Sequence, residues 1–461
     1  MGTGQAPSSL VGDGIMVPCV DGQERPYLSC DAAATTAPFE AVLASVEEFL
    51  PWYSSIHRGA GYKSQRSTEA YEAARDAALR FAGRDGRDDV AIICRNTTEA
   101  INLLAYRLRF TKQDVVATTV VEHHANMLPW SRVASCRYVE CGQDGTFETA
   151  AVVEALKARP EPRLLTITGA SNVTGWMPPV AEIIAAAHDL GVPVMLDAAQ
   201  LAPHRQLPDG PDFIAWSGHK MYAPFGVGVL IGPRRVFTHG DPFIVGGGAV
   251  ELVALDEVIW TGPPEREEAG TPNVVGAVAL EAAVSHLEAI GRKTITAHDR
   301  QLASALRRGL AAVPGVRLLG PGLDVDTLPV ATFTVDGTSH ALVAARLSAE
   351  DAIGVRHGCF CAHPYLLRLL GLGPEDVARY RAQVRHGNRA DMPGAVRASL
   401  GINATIADVE RLCGAVSRLA GGEPAPVQYA QDSRTGDFSP VGPTPAWLTG
   451  TRQHGSSCSP G

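Results

Sequence analysis

The sequence has no long hydrophobic run, no excess of basic residues and no leader-like N-terminus. No apolar stretch in it approaches the roughly 20 residues that a membrane-spanning helix needs, so we expect no contact with a membrane. Acidic residues outnumber basic ones by 49 to 40, and the resulting net charge of −9 argues against non-specific nucleic-acid binding. The N-terminus lacks a basic segment followed by an apolar core, and this predicts a cytoplasmic protein.

Cysteine is present in an odd number, nine residues scattered over 461, which does not suggest a disulfide scaffold. We expect these thiols to be reduced and mostly buried. Cys359 and Cys361 form a close pair, but zinc prefers four ligands with wider pair spacing and no second pair accompanies them. We therefore predict no metal site. The length and the 45% hydrophobic content allow two domains and a large core.

Short apolar runs alternate with helical patterns between residues 85 and 232. The runs cover residues 90–94, 115–119, 164–167, 192–196, 213–216 and 227–231. This alternation predicts an α/β fold, with a mostly parallel sheet covered by helices. Long helical patterns at 272–289 and 297–312 then lead into a smaller C-terminal α/β domain.

We predict four segments from these patterns. Residues 1–24 form a loose N-terminal arm, 25–289 a large domain, and 290–420 a small domain with a strand at 330–335 and a last helix at 405–419. Residues 421–461 are rich in proline, glycine and serine and lack periodicity, which predicts a disordered tail.

Polar residues follow the predicted strands at the points where the strands end. They are Thr97 and Thr98, residues 122–124, Asn172, Asp197, and residues 217–220. Because ligands of parallel sheets bind beyond the carboxyl ends of the strands, we expect these residues to form one site.

Lys220 and Asp197 indicate the chemistry of this site. A lysine amine forms the Schiff base of pyridoxal 5′-phosphate (PLP), and an aspartate keeps the pyridine nitrogen of PLP protonated. Asp197 alone would more simply cap the turn that follows it. With Gln200 one turn later and Lys220 after the next strand, the cofactor role is favoured.

Phosphate requires hydrogen-bond donors, which the N-terminus of a helix supplies. Thr97 and Thr98 occupy such a position, although a simple capping role is compatible with it. Ser217 and His219 would add donors beside the lysine. One of His123 and His124 would stack on the pyridine ring, and a histidine suits acid–base work near neutrality. The spacing does not decide between the two.

The segment 355–364 carries the two paired cysteines in a polar, glycine-containing loop. A functional thiol needs a nearby cation to favour the thiolate, and Arg356 and His357 are the candidates. Arg397 lies in an apolar, strand-like run, where a surface salt bridge is not expected; its guanidinium suits a substrate carboxylate.

Residues 373–392 carry Arg379, Arg381, Arg385 and Arg389 and predict an amphipathic helix. This helix is either a solvated face or a changed entrance to the active site.

Four motifs together resemble the class V aminotransferase superfamily. They are the sequences at residues 122–126 (EHHAN), 197–200 (DAAQ), 217–222 (SGHKMY) and 268–273 (EAGTPN). The resemblance covers about residues 25–420 and is strongest to the SufS-like cysteine desulfurases and selenocysteine lyases. It implies a fold-type I PLP-dependent enzyme that works as a homodimer.

The resemblance also implies roles for individual residues. In the family pattern, His123 stacks on PLP, Asn172 and Gln200 lie near its ring hydroxyl, and Thr98, Ser217 and His219 bind its phosphate. Thr271 adds a phosphate contact from the partner subunit, and the segment 53–71 with His57 lines the neighbouring active site. Arg397 clamps the substrate carboxylate, and Cys361 attacks the substrate sulfur.

The implied reaction is cleavage of L-cysteine to alanine, leaving a persulfide on Cys361 that a sulfur-acceptor protein could discharge. Other class V reactions remain alternatives: C–S cleavage of cysteine conjugates, epimerisation or transamination. A non-enzymatic scaffold is disfavoured because Lys220 and Asp197 are both present. The sequence departs from the family pattern at Cys359 and Phe360, where two histidines are usual. Cys359 is therefore a resolving thiol, a sulfur relay or merely a small residue.

Overall fold

The computed structural model describes residues 6–57 and 59–442. The chain begins with a hairpin of two strands and a short third strand: β1 (Met16–Pro18), β2 (Glu24–Pro26) and β3 (Leu28–Ser29). Leu10 and Cys19 are buried, and the amide of Val20 donates to the carbonyl of Ala349. The prediction of a loose arm over 1–24 is therefore wrong for the described part, because buried side chains and backbone hydrogen bonds hold it; residues 1–5 lie outside the described residues.

Two helices, α1 (Glu40–Phe49) and α2 (Tyr62–Phe81), precede the main sheet. The sheet region then alternates strands and helices: β4 (Asp89–Cys94), α3 (Thr97–Arg107), β5 (Val115–Thr119), α4 (Leu128–Val133), β6 (Ser135–Val139), α5 (Thr149–Lys157), β7 (Pro162–Thr168), α6 (Val180–Asp189), β8 (Val194–Asp197), β9 (Phe213–Ser217) and β10 (Gly228–Pro233).

The main sheet has seven strands in the order β4-β10-β9-β8-β7-β5-β6. The neighbours from β9 to β6 pair in parallel, while β10 runs antiparallel to both β4 and β9. The predicted mostly parallel sheet is thus confirmed. Strand β6 was not predicted because it lies at the edge of the sheet and only Val139 in it is buried, so it lacks the apolar run that marks the buried strands.

The remaining elements belong to a projecting hairpin, two long helices and a second sheet. They are β11 (Val250–Val253), β12 (Val258–Trp260), α7 (Val274–Ile290), α8 (Arg292–Ala311), β13 (Val316–Leu319), β14 (Val330–Val335), α9 (His340–Asp351), β15 (Ile353–Gly354), β16 (Arg356–Gly358), α10 (His363–Leu369), α11 (Pro374–Arg385), β17 (Ala395–Ser399), α12 (Ile406–Ala420), β18 (Tyr429–Gln431) and β19 (Phe438–Pro440). The second sheet is antiparallel, in the order β13-β14-β17-β16.

The second sheet packs with α8, α9 and α12 around a core of its own. Leu28 and Cys30 are buried in this core, and β3 pairs in parallel with β15. An N-terminal segment therefore contributes to the packing of the C-terminal sheet, which the predicted boundary at residue 25 assigns to the large domain.

The C-terminal segment is not uniformly irregular. Strands β18 and β19 form an antiparallel hairpin, and the hydroxyl of Tyr429 donates to Glu350 on α9 at 2.9 Å. The predicted disordered tail over 421–461 is thus wrong for the hairpin, because strand pairing and contacts with α9 hold it; residues 443–461 lie outside the described residues.

The helix predicted within 373–392 is present as α11, and none of its residues is buried. In the described part of the chain, no single helix has the length and apolarity to cross a membrane; α7 and α8 meet that test only together, as a pair bent by 81°. The eight described cysteines are all unpaired, but three alone are fully buried. Most are therefore less buried than the sequence predicted.

Candidate active site

A cavity of about 260 Å³ lies at the carboxyl edge of the main sheet and extends to the second sheet. It gathers most of the predicted site residues: Thr97, Thr98, His123, Asn172, Asp197, Gln200, Ser217, His219, Lys220, Arg356, Cys361 and Arg397. We call it the inner cavity. The expected convergence of polar groups beyond the strand ends is therefore present.

His57 and Thr271 are among the predicted site residues that do not line the inner cavity. They share a separate cavity of about 350 Å³ with Glu265 and Glu268. The Nε2 atom of His57 lies 2.7 Å from a carboxylate oxygen of Glu72. The sequence placed both residues in the active site of a partner subunit, and that role stays a prediction.

Lys220 ends a single helical turn directly after β9. Burial lowers the pKa of its amine to about 8, although the nearby carboxylate of Asp197 opposes the shift. The amine has no hydrogen-bond partner among the described residues. Lys220 is therefore a half-buried residue with a desolvated amine that can lose its proton near neutral pH and is free to react.

Asp197 is the last residue of β8, and its side chain is buried. One carboxylate oxygen accepts a hydrogen bond from the amide of Ala199 at 3.0 Å, so the capping role is real. Within the described part of the chain the other oxygen has no partner, and burial raises the pKa of the carboxyl group. Because only one oxygen of Asp197 caps the turn, the other oxygen can bind a ligand.

The N-terminus of α3 borders the inner cavity. The amide of Glu99 is capped by Asn96 at 3.0 Å, and the amide of Thr97 donates to the hydroxyl of Ser217 at 2.8 Å. The Thr98 amide of this first turn has no protein partner among the described residues. A free amide at a helix N-terminus suits an anion.

His123, rather than His124, lines the inner cavity. Its Nδ1 accepts a hydrogen bond from the amide of Ala125 at 3.0 Å, so the ring carries its proton on Nε2. Burial, reinforced by the charge of Lys220, lowers the pKa of His123 to about 3. Desolvation beside a cation therefore favours the neutral ring near pH 7, and the acid–base role of this histidine stays a prediction.

Asn172 and Gln200 use their amides to hold the cavity wall. Asn172 donates to the carbonyl of Phe360 at 2.8 Å, and Gln200 donates to the carbonyl of Ala33 at 2.7 Å.

His219 also lines the inner cavity. Burial, with a smaller effect of Lys220, lowers the pKa of His219 to about 4. The ring of His219 lies 3.3 Å from the hydroxyl of Thr35.

Arg397 lies on β17 and is 2% exposed. One terminal nitrogen donates to the carbonyl of Asn172 at 2.9 Å and the other to Asp31 at 2.8 Å. The Nε atom is buried without a partner in the described part of the chain. The same Asp31 accepts from Arg356 at 3.1 Å, so one carboxylate holds both arginines at the cavity.

Asp31 was missed in the sequence. Its signal is the run of small residues at 32–34, followed by two threonines, after an apolar strand; such a run is typical of backbone packed closely against a ligand site.

Cys361 lies in the loop between β16 and α10 and is exposed. Phe360 and Cys361 both adopt left-handed backbone angles, with φ of 54° and 53°, which non-glycine residues rarely adopt. The carbonyl of Cys361 accepts from the amide of His124 at 2.8 Å. His357 does not line the inner cavity; its side chain contacts His340 and Asp437 instead.

Comparison with known sequences shows the family of this chain. The family described as "Aminotransferase class-V" matches residues 28–412. The chain belongs to this family. It is 33% identical to "Probable cysteine desulfurase 2" of Mycobacterium leprae over 414 residues, covering 86% of this chain and 92% of that protein.

Solved structures give the same result. The structure of a cysteine desulfurase from Thermococcus onnurineus is similar with a TM-score of 0.76 and 30% identity, over 86% of this chain and 95% of that chain. The cysteine desulfurase CsdA from Escherichia coli is similar with a TM-score of 0.72 and 31% identity, over 86% and 95%. The predicted resemblance to the class V family and its cysteine desulfurases is confirmed.

Proposed function

We propose that this protein is a PLP-dependent cysteine desulfurase, which cleaves the C–S bond of L-cysteine, releases alanine and keeps the sulfur on Cys361. One observation carries the proposal: the unpartnered amine of Lys220, the thiol of Cys361 and the guanidinium of Arg397 line one small cavity. A lysine, a cysteine and an arginine supply the attachment point, the sulfur acceptor and the carboxylate anchor that this reaction needs.

The residues present fit PLP. Lys220 offers a free amine, Asp197 a free carboxylate oxygen for the pyridine nitrogen, and Thr98 a free amide at the N-terminus of α3 for the phosphate. His123 would lie against the ring, with its Nε2 carrying the proton. When bound, PLP supplies an electron sink for the substrate Cα.

The chain's own groups account for the remaining steps. Arg397 anchors the substrate carboxylate in place of part of its contact with Asp31. Lys220 takes and returns the Cα proton, which its pKa of about 8 allows near neutral pH. The Cys361 thiolate attacks the substrate sulfur; an S–S bond forms, the C–S bond breaks, and its electron pair stays on the substrate carbon, which takes a proton.

A test of this proposal uses the PLP-loaded full chain with L-cysteine. We expect alanine to form and Cys361 to gain one sulfur atom, measured by mass spectrometry of the peptide. Cys361→Ser should abolish the persulfide while the absorbance of the Schiff base between Lys220 and PLP persists, and Lys220→Ala should abolish both. Cys413→Ser, a half-buried cysteine of the second core, is the matched control. Pyridoxamine phosphate formed in place of the persulfide would contradict the proposal and favour transamination.

A homodimer belongs to the same proposal. The cavity shared by His57 and Thr271 supports it, since both residues would then serve the partner's inner cavity. The cytoplasmic location stays a prediction from the sequence.

A further inference from the structure

The loop that carries Cys361 borders a second cavity besides the inner one. This outer cavity has a volume of about 750 Å³, within the range of small-molecule sites. Phe360 and Cys361 are the two residues that line both cavities, whereas Cys359 and His363 line only the outer one. A sulfur atom gained by Cys361 from the inner side therefore has a second compartment within reach.

The far wall of the outer cavity is built from the segment after α11 and from the C-terminal hairpin. The amide of Arg389 donates to the carbonyl of Ser433 at 2.7 Å, and the side chain of Gln431 donates to the carbonyl of Ala390 at 2.9 Å. Gly436 of the hairpin also lines the cavity. These bonds join two segments that are distant in sequence into one wall, which limits the size of molecule that reaches Cys361 from this side.

Cys359 is poorly placed to accept sulfur itself. Its thiol donates to the carbonyl of Pro393 at 3.1 Å, and burial raises its pKa to about 11. A thiol that is protonated and held by a carbonyl is a weak nucleophile. Cys359 is therefore disfavoured as the nucleophile that discharges Cys361.

His363 provides a base at that point. The amide of His363 donates to Nε2 of His124 at 3.2 Å, so this His124 nitrogen is an acceptor. The Nδ1 atom of His363 lies 3.3 Å from the same nitrogen and must carry a proton to bond with it. Nε2 of His363 therefore keeps its lone pair, and it has no partner among the described residues. Burial lowers the pKa of this ring, which keeps it neutral near pH 7.

We propose that the outer cavity binds a low-molecular-weight thiol, which takes the sulfur from the Cys361 persulfide with His363 as the general base. This rests on the proposed function. The thiol passes its proton to Nε2 of His363, and the thiolate attacks the terminal sulfur of the persulfide. A new S–S bond forms, the bond to Cys361 Sγ breaks, and its electron pair restores the Cys361 thiolate. The product is a small persulfide, and no oxidant or reductant is consumed.

The first test measures separately how fast Cys361 gains a sulfur atom (loading) and how fast a thiol removes it (discharge). The PLP-loaded protein is charged with limiting L-cysteine, then mixed with 2-mercaptoethanol, and the persulfide on Cys361 is followed by mass spectrometry. Thr338→Trp and Ala390→Trp, which fill the outer cavity from opposite segments, should slow discharge at least fivefold and leave loading unchanged. Ala150→Trp, at an exposed position of α5, is the matched control and should change neither step.

The second test addresses His363. His363→Gln should slow discharge by 2-mercaptoethanol at least tenfold at pH 7, but should leave discharge unchanged for an aromatic thiol that is already ionised at that pH and needs no base. Equal slowing with both thiols would overturn the role of His363 as a base.

Two further results would overturn the proposal as a whole. If the tryptophan variants discharged at the rate of the unmodified protein, the outer cavity would not be the acceptor site. If a folded thiol protein discharged Cys361 faster than 2-mercaptoethanol at equal concentration, a protein would be the acceptor. Absence of any persulfide on Cys361 in the unmodified protein would instead refute the proposed function, and the acceptor proposal with it.

Discussion

Among the described residues, the active site contains both polar groups without hydrogen-bond partners and polar groups that are paired. The Lys220 amine, one oxygen of Asp197 and Nε of Arg397 have no partner in the described part of the chain. Unpaired polar groups in a buried site carry a cost in free energy, and a ligand that pairs with them regains it. Asp31, in contrast, holds two arginines and so keeps them at the cavity when no substrate carboxylate is present.

The pH dependence of cofactor attachment follows from Lys220. Only the neutral amine attacks the aldehyde of PLP, so the rate at which the cofactor-free protein takes up PLP should rise with pH and level off above about 8, the pKa of this amine. Stopped-flow absorbance at several pH values measures the midpoint. Because the Asp197 carboxylate raises the pKa of Lys220, Asp197→Asn should move the midpoint to lower pH. A midpoint that moved upward would contradict this electrostatic coupling.

Among the elements, α12 shows how local sequence and packing act together. Its apolar residues at 409, 412, 416 and 419 recur at helical spacing and are buried in the second core. Its N-terminus carries a capping box, in which Thr405 and Asp408 exchange hydrogen bonds between side chain and backbone. The helix was therefore predictable from both its periodicity and its first residues.

Removal of this cap should destabilise the protein measurably. Thr405→Ala loses the hydrogen bond that the amide of Asp408 donates to the Thr405 hydroxyl, and we expect the free energy of unfolding to fall by about 1 kcal/mol. Urea denaturation followed by circular dichroism measures it. Thr405→Ser keeps the hydroxyl and should cost much less; equal losses for the two variants would show that the methyl group, not the cap, matters.

At the scale of the whole molecule, the active site lies between two sheets, and the C-terminal hairpin lines the neighbouring outer cavity. Lys220 and Asp197 come from the main sheet, Arg397 from the second sheet, and Cys361 from the loop between β16 and α10. Asn172 bonds to both Phe360 and Arg397. The catalytic groups therefore keep their positions only while the two sheets stay packed.

The hairpin should control access to Cys361. A chain that ends at Gly422 loses β18 and β19 and with them the wall that Gly436 provides. We expect a bulky maleimide to modify Cys361 of this shortened chain several-fold faster than Cys361 of the full chain, as measured by mass spectrometry. A chain that ends at Gly442 keeps the hairpin and is the matched control. Equal rates in all three chains would show that the hairpin does not restrict access.

The buried strands and their polar ends could be predicted from the sequence because each is a local pattern. An apolar run that ends in Asp197 or leads to Lys220 predicts both a parallel strand and a ligand site at its end. The edge strand β6 and the hairpin β18–β19 could not be predicted in this way, because their stability comes from partners rather than from their own composition. Asp31 was missed for the same reason: its partners Arg356 and Arg397 are more than 300 residues away in the chain.

The sequence by itself determined the fold class, the family and the chemical types of the site residues, because motifs and hydrophobic periodicity can be recognised within short segments of the chain. Tertiary structure alone decided how burial moves the pKa values of Lys220 and His123, and that Cys361 faces two cavities. These properties depend on desolvation and on distances between segments far apart in the chain, which local sequence patterns do not encode.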